Sequence, residues 1–241
     1  NFFSKKKINC TFISSKEIDL VKKNSYKDLS KKINKECTVI FISAKAPVKN
    51  LNMLSYNIKI LENVSKAVEE KKIRQIIYIS SDAVYSDSLR KIKENYNREP
   101  DNLHGIMHVT RENYLKSLFL KKLCILRPTL IYGKGDPHNG YGPNKFIRLV
   151  KKNKDIFLFG KGEELRDHIH INDVVNIIYY SVIKNLRGEY TLASGNVISF
   201  YNIAKIIIKL YNSKSKIIFQ KRLGKMPHGG YRCFDIYKKK K

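Results

Sequence analysis

YISSDAVY, Tyr78 to Tyr85, is the stretch from which the fold can be read. With the residues before it, Gln75 to Ser80 makes a short apolar run that ends abruptly on two serines and an acid. A run that is apolar at consecutive positions suits a strand buried on both faces. Working outward, Ile8 to Ser14, Thr38 to Ser43 and Leu123 to Arg127 share that character, being rich in Ile, Val, Phe and Cys. Between them Leu51, Leu54, Ile58, Leu61 and Val64 recur at helical intervals, as do Met107, Tyr114, Leu115 and Leu118. Strands alternating with helices predict an α/β protein built on a doubly wound parallel sheet.

Beyond Arg127 the composition shifts. A loop rich in Gly, Pro and Asn (Gly133 to Pro143) leads to a helix near Lys145 to Lys152 and a strand at Ile156 to Phe159. A helix is predicted over Asn172 to Lys184, capped by Asn172 or Asp173, and another over Ser199 to Tyr211, opened by Ser199. Glu189 to Leu192 and Lys216 to Gln220 read as strands, and His168 and His170 alternate along a further one as packing residues. The expected organisation is a larger domain over residues 1–135 and a smaller α/β lobe over 136–241. The Asn172 to Lys184 region is expected to pack back on the first.

The 241 residues carry a formal charge of +27, a balance that attracts phosphate backbones. The excess is mostly lysine, spread along the chain among many Ile and Asn residues, whereas arginine, the better bidentate phosphate reader, is sparse. An anionic cofactor or substrate accounts for part of the charge, so no specific nucleic-acid partner is expected; a basic nucleic-acid-binding protein is the outside alternative. The four cysteines, Cys10, Cys37, Cys124 and Cys233, form no C-x-x-C pair, which suits a reducing, cytoplasmic setting. No apolar run reaches membrane-spanning length, so no membrane partner is expected.

The first glycine of the chain is Gly105. A dinucleotide fold places a glycine-rich turn after its first strand, because glycine lets the backbone approach a pyrophosphate at a helix N-terminus. Residues 1–104 hold no such turn, and Phe2 to Lys5 reads as the last turn of a helix leading into Ile8 to Ser14. The expectation is an N-terminally truncated chain lacking its first strand and glycine loop.

YISSDAVY, LRPTLIYGKGDP (Leu126 to Pro137) and RDHIHINDVV (Arg166 to Val175) follow one another in the order and spacing of the extended short-chain dehydrogenase/reductases. The chain resembles the NAD-dependent epimerase/dehydratase group of that superfamily over nearly its whole length. The resemblance implies a Rossmann-like sheet with a C-terminal substrate lobe, NAD or NADP as cofactor, a nucleotide-sugar substrate, and homodimerisation through the helices near 51–71 and 103–120. It implies that Ser81 holds the reacting sugar hydroxyl, with Asp82 beside it at the substrate. Where the group carries Y-x-x-x-K, this chain has His104-Gly105-Ile106-Met107-His108. Imidazole is a base at neutral pH without the help a phenol needs, and i, i+4 spacing keeps both rings on one helical face.

Three readings of His104 and His108 stay open: retained redox chemistry with His104 as base and His108 assisting at the cofactor ribose, a binding-only or differently reacting relative, or a plain helix face. A metal site is not expected, since H-x-x-x-H lacks the neighbouring glutamate and a third ligand. For the cofactor, the resemblance implies adenine contacts at Asp19 and Leu20 and a bordering loop at Ser43, Ala44 and Lys45. Ser14-Ser15-Lys16-Glu17 leaves NAD and NADP undecided. For the substrate it implies Arg166 at the diphosphate, with an ion pair to Asp167 as the alternative, and Arg222 and Arg232 closing over the nucleotide. His138, Asn139, Tyr141 and Asn144 are candidates for the sugar pocket, Asn144 being carried forward as a substrate contact.

Overall fold

The computed structural model describes residues 2–136 and 139–236. His138 and the terminal lysine run lie outside them. In chain order the elements begin with α1 (Phe2–Lys5), α2 (Ser25–Lys32), β1 (Thr38–Phe41), α3 (Leu51–Glu69), β2 (Gln75–Ile79), α4 (Leu103–Phe119) and β3 (Leu123–Pro128). They continue with β4 (Leu130–Tyr132), α5 (Pro143–Val150), β5 (Ile156–Phe159), β6 (Leu165–His170) and α6 (Ile171–Ile183). The last are β7 (Gly188–Leu192), β8 (Val197–Ser199), α7 (Phe200–Leu210), β9 (Ile217–Gln220) and β10 (Tyr231–Arg232). Two compact units result. The first is Asn1–Ser86, Asn97–Arg127 and Val175–Tyr190; the second is Asp87–Tyr96, Pro128–Val174 and Thr191–Lys241.

The first unit is built on a sheet of order β1-β2-β3-β7, with β1, β2 and β3 parallel and Ile40 opposite Ile77, itself opposite Cys124. Every residue of β3 is buried, as its continuous apolar run requires. Helix α3 covers the sheet with Ile60, Leu61, Val64, Ala67 and Val68, and its Asn50 cap accepts from the Met53 amide. The segment Ile8 to Ser14, expected as a strand, forms none. A strand exists by its hydrogen-bonded ladder, and among the described residues nothing pairs with this segment or with the outer edge of β1. Ile13 is still used, packed against the core.

In the second unit β6 pairs in parallel with β4 and β10 and antiparallel with β8, and β5 pairs with β9. Its core is Phe146 and Val150 of α5, Ile156 and Leu158 of β5, and Phe200, Ile203, Ala204 and Ile207 of α7. Ser199 caps α7, accepting from the Asn202 amide at 3.1 Å. Helix α6 starts at Ile171, directly out of β6, so Asn172 and Asp173 sit inside its first turn instead of capping it. His170 takes over: its Nδ1 accepts from the Asn172 amide at 3.2 Å. Among the described residues no helix is long and apolar enough to cross a membrane.

Candidate active site

Strand β2 runs out at Ile79, and the chain turns on Ser80 and Ser81. The Ser81 hydroxyl accepts from the Ala83 amide at 3.1 Å, capping a single 3₁₀ turn over Asp82–Val84. Helix α4 begins against that turn. Its Asn102 cap accepts from the Gly105 amide at 2.9 Å. A Cβ on Gly105 would lie 2.2 Å from the Ala83 carbonyl oxygen and 2.4 Å from Pro100 Cβ, so only glycine permits this approach. The sequence shows the glycine; the two surfaces it brings together are visible only in the fold.

His104 and His108 share one face of α4, their ring centroids 4.8 Å apart and nearly perpendicular. His104 is half-buried, its Nδ1 enclosed without a hydrogen-bond partner. His108 is 5% exposed, and its Nδ1 stands 2.7 Å from the Tyr78 hydroxyl. Burial pushes the pKa of His104 down, opposed by the Asp82 carboxylate and aided by Arg111. Burial, then the neighbouring His104 and Arg111, hold His108 well below the ordinary imidazole value. The pair is therefore neutral at physiological pH, the protonation state a base requires.

Arg111 lies fully buried over the Phe41 ring, donating to the Ser43 carbonyl (2.8 Å) and to the backbone and side-chain oxygens of Asn57 (2.8 and 3.0 Å). Asn57 in turn accepts from the Lys45 amide and donates to the Lys45 carbonyl, both at 3.0 Å. The exposed Ser43–Lys45 loop is thus braced from the histidine helix. Asp19 and Leu20 sit elsewhere in the unit. Asp19 bonds the Val21 amide and lines an open depression of about 490 Å³ with Glu17, Lys22 and Lys31, in which no histidine takes part. Leu20 packs at the core margin. For a nicotinamide dinucleotide these residues fit in part: Ser43 to Lys45 form an exposed loop beyond β1. Close approach to a pyrophosphate needs glycine, which residues 1–104 do not contain.

Behind the histidines stands a charge cluster built on Glu112 and Arg127. The Ser80 hydroxyl donates to Glu112 at 2.7 Å, and Arg127 donates to both Glu112 oxygens (2.8 and 2.6 Å), to the Tyr85 hydroxyl (2.9 Å) and to Glu189. Arg127 inside an otherwise apolar strand was the available clue, because a buried guanidinium demands a carboxylate.

In the second unit Glu164 receives two of the three expected arginines. Arg166 donates to it at 2.9 Å and to the Pro227 carbonyl at 2.7 Å; Arg222 donates to it and to the Phe159 carbonyl. The alternative pairing of Arg166 with Asp167 is overturned. Adjacent strand residues point to opposite faces while i and i+2 share one, and Asp167 instead accepts from Ser194 and the Gly195 amide. Arg232 stands apart, on Asp87 at 3.0 Å and over the Phe234 ring. Asn144 accepts from the Gly133 amide and donates to Asp136, both at 3.0 Å, which ties down its own loop. Arg222, Lys221, Lys225 and Phe159 line an open depression of about 670 Å³. His168, one of the two packing histidines, meets Phe200 and Tyr132, and burial drives its pKa down to about 4.

A parallel sheet with a serine-ended strand facing a helix-borne histidine pair suits a Rossmann-like fold of the dehydrogenase/reductase type. Comparison with known proteins narrows the class. Residues 4–193 match the NAD dependent epimerase/dehydratase family, and the chain belongs to it. It is 29% identical over 193 residues to an N-acetyl-alpha-D-glucosaminyl-diphospho-ditrans,octacis-undecaprenol 4-epimerase of Escherichia coli O157:H7, covering 76% of this chain and 56% of that one. It is 29% identical over 174 residues to an ADP-L-glycero-D-manno-heptose-6-epimerase of Brachyspira hyodysenteriae, covering 68% and 54%. The chain spans about half the length of these curated relatives. The Thermus thermophilus UDP-glucose 4-epimerase complex with NAD superposes with a TM-score of 0.78 at 18% identity, over 91% of this chain and 75% of that one.

Proposed function

We propose that this chain carries the proton-transfer site and nucleotide lobe of an NAD(P)-dependent epimerase, dehydratase or reductase acting on a nucleotide-linked sugar. Ser81 holds the reacting hydroxyl and His104 takes its proton. With Nδ1 of His104 enclosed, Nε2 is left as the nitrogen that accepts the proton. Asp82, whose charge favours the imidazolium, stabilises His104 once it is protonated. Bound NAD(P) supplies the transient acceptance and return of hydride. Arg166 and Arg222, with Arg232, are assigned to the diphosphate, and Arg222 stands in a depression with two lysines and an aromatic ring.

The observation that carries this reading is the contact of Gly105 with Ala83, which seats a neutral His104 beside the Ser81–Asp82 turn. Exposed apolar side chains on α3 and α4, including Leu51, Tyr114 and Leu118, suit pairing of two copies through those helices. The test is incubation of the full chain with NAD or NADP and a panel of nucleotide sugars, following sugar interconversion and reduced cofactor. Turnover supports the reading. Binding of nucleotide sugar without any turnover favours a non-catalytic member of the family.

A further inference from the structure

Tyr78 looks from sequence like one more apolar residue of a buried strand, yet its hydroxyl is aimed at the histidine pair. We propose that Tyr78 is a positioning residue for proton transfer at His104: its hydroxyl donates to Nδ1 of His108, fixing His108 as the Nε2–H tautomer and keeping that ring neutral. The inference rests on the reading of His104 as the base.

The direction of the hydrogen bond follows from the surrounding donors. Tyr78 is completely buried, with its oxygen 2.7 Å from His108 Nδ1. Among the described residues that oxygen makes its hydrogen bond to His108 alone, and the Arg111 guanidinium nearby contributes positive charge. A guanidinium has no acceptor, so the phenolic hydrogen is turned away from it, toward His108. Ser80 lies 3.5 Å from the same Nδ1, but its hydrogen is committed to Glu112 at 2.7 Å. Nδ1 of His108 thus accepts, and Nε2 carries the proton.

The charged and titratable groups facing the pair agree with this. From β2 and its end come Tyr78 and Ser80; from α4 come His104, Arg111 and Glu112; from the 3₁₀ turn comes Asp82; from α3 comes neutral Asn57. Glu112 is committed to Arg127 and does not offset Arg111. A proton on His108 would meet Arg111 on one side and His104 on the other. Where the family's lysine would be a permanent cation, this chain holds a ring that must stay uncharged, with Arg111 supplying the fixed positive charge one turn further along the helix.

Long-range ¹⁵N–¹H spectra of imidazole-labelled full chain at pH 7 test the assignment without any variant. Unprotonated Nδ1 and protonated Nε2 on His108 are expected; the reverse tautomer overturns the inference, even in a protein whose Tyr78→Phe form does not fold. In Tyr78→Phe the His108 resonances are expected to titrate closer to neutral pH. The acid limb of kcat/KM is expected to move up by about half to one pH unit, the worth of one hydrogen bond. KM is expected to hold while kcat falls below pH 7. An unchanged tautomer together with an unchanged acid limb overturns the positioning role. Loss of turnover in His104→Phe alongside a wrong wild-type tautomer overturns this inference alone; unchanged turnover in His104→Phe overturns the base reading and this inference with it.

Discussion

Both units bury arginines, and they neutralise them in different ways. In the first, Arg127 is fully enclosed and meets a fully enclosed Glu112 in a two-point contact, with Glu189 completing the set and Arg98 and Lys116 joining from the partly exposed side. In the second, Arg166 and Arg222 share the single carboxylate of Glu164, while Arg232 leans on Asp87, whose side chain is 45% exposed. The first arrangement closes on itself and holds β3, β7 and α4 in register around the histidines. The second places two guanidiniums on one carboxylate.

The largest effect is expected from breaking the closed cluster. Arg127→Met leaves the enclosed Glu112 with only the partly exposed Arg98 as its cation, and should cost about 3–5 kcal/mol, read as a fall in the urea midpoint of the full chain. A cost below that of an ordinary surface change would mean the cluster does not hold the unit together.

Acid should act next, through buried neutral imidazoles. The folded-state pKa of His168 is depressed to about 4, below its ordinary value, so the unfolded chain binds the proton first as pH falls. Its contribution is complete above about pH 6.5 and is lost as pH falls through that value toward 4, amounting to roughly 3 kcal/mol at most at 1.36 kcal/mol per unit. Stability measured across pH 7 to 4 should fall more steeply in wild type than in His168→Phe.

Gly105→Ala sharpens the contrast within the first unit. Its Cβ would strike the Ala83 carbonyl and Pro100, an overpacking worth about 1–3 kcal/mol. Turnover should drop further than stability, because the helix start that carries His104 is what must move. The smallest effect is expected in the open cluster: Glu164→Gln removes the anion that competes for Arg166 and Arg222, and should tighten nucleoside diphosphate binding severalfold in a calorimetric titration. Weaker binding would show that Glu164 orients the arginines rather than competing with their ligand.

Much of the scaffold was legible because burial on both faces leaves an unambiguous trace. Thr38–Phe41, Gln75–Ile79 and Leu123–Pro128 stand out as apolar runs, and the α3 and α7 stripes follow the helical period. Short or polar elements left no such trace. Helix α2 buries just Ser25, Leu29 and Ser30; β4 spans three residues with Leu130 and Ile131 largely exposed; β10 spans two. Ile8 to Ser14 has a strand's composition, but a strand is made by its neighbour, which composition cannot supply.

The site divided along the same line. The family resemblance pointed to Ser81, His104 and His108, and the i, i+4 spacing foretold that the two rings share one helix face, as they do. The partners that set their chemistry are remote in sequence. Tyr78 meets His108 across 30 residues, Arg111 meets Ser43 across 68, and Glu164 meets Arg222 across 58. None carries a mark in its immediate neighbours.

The central claim is that a neutral His104 does in this chain what a tyrosine does in the relatives the sequence resembles. Its most direct test is kcat/KM for nucleotide-sugar interconversion by His104→Phe against the unaltered full chain, with substrate binding followed in parallel. A loss of about 10²- to 10⁴-fold with binding retained is expected for removal of a general base. Turnover equal to that of the unaltered chain would contradict the account.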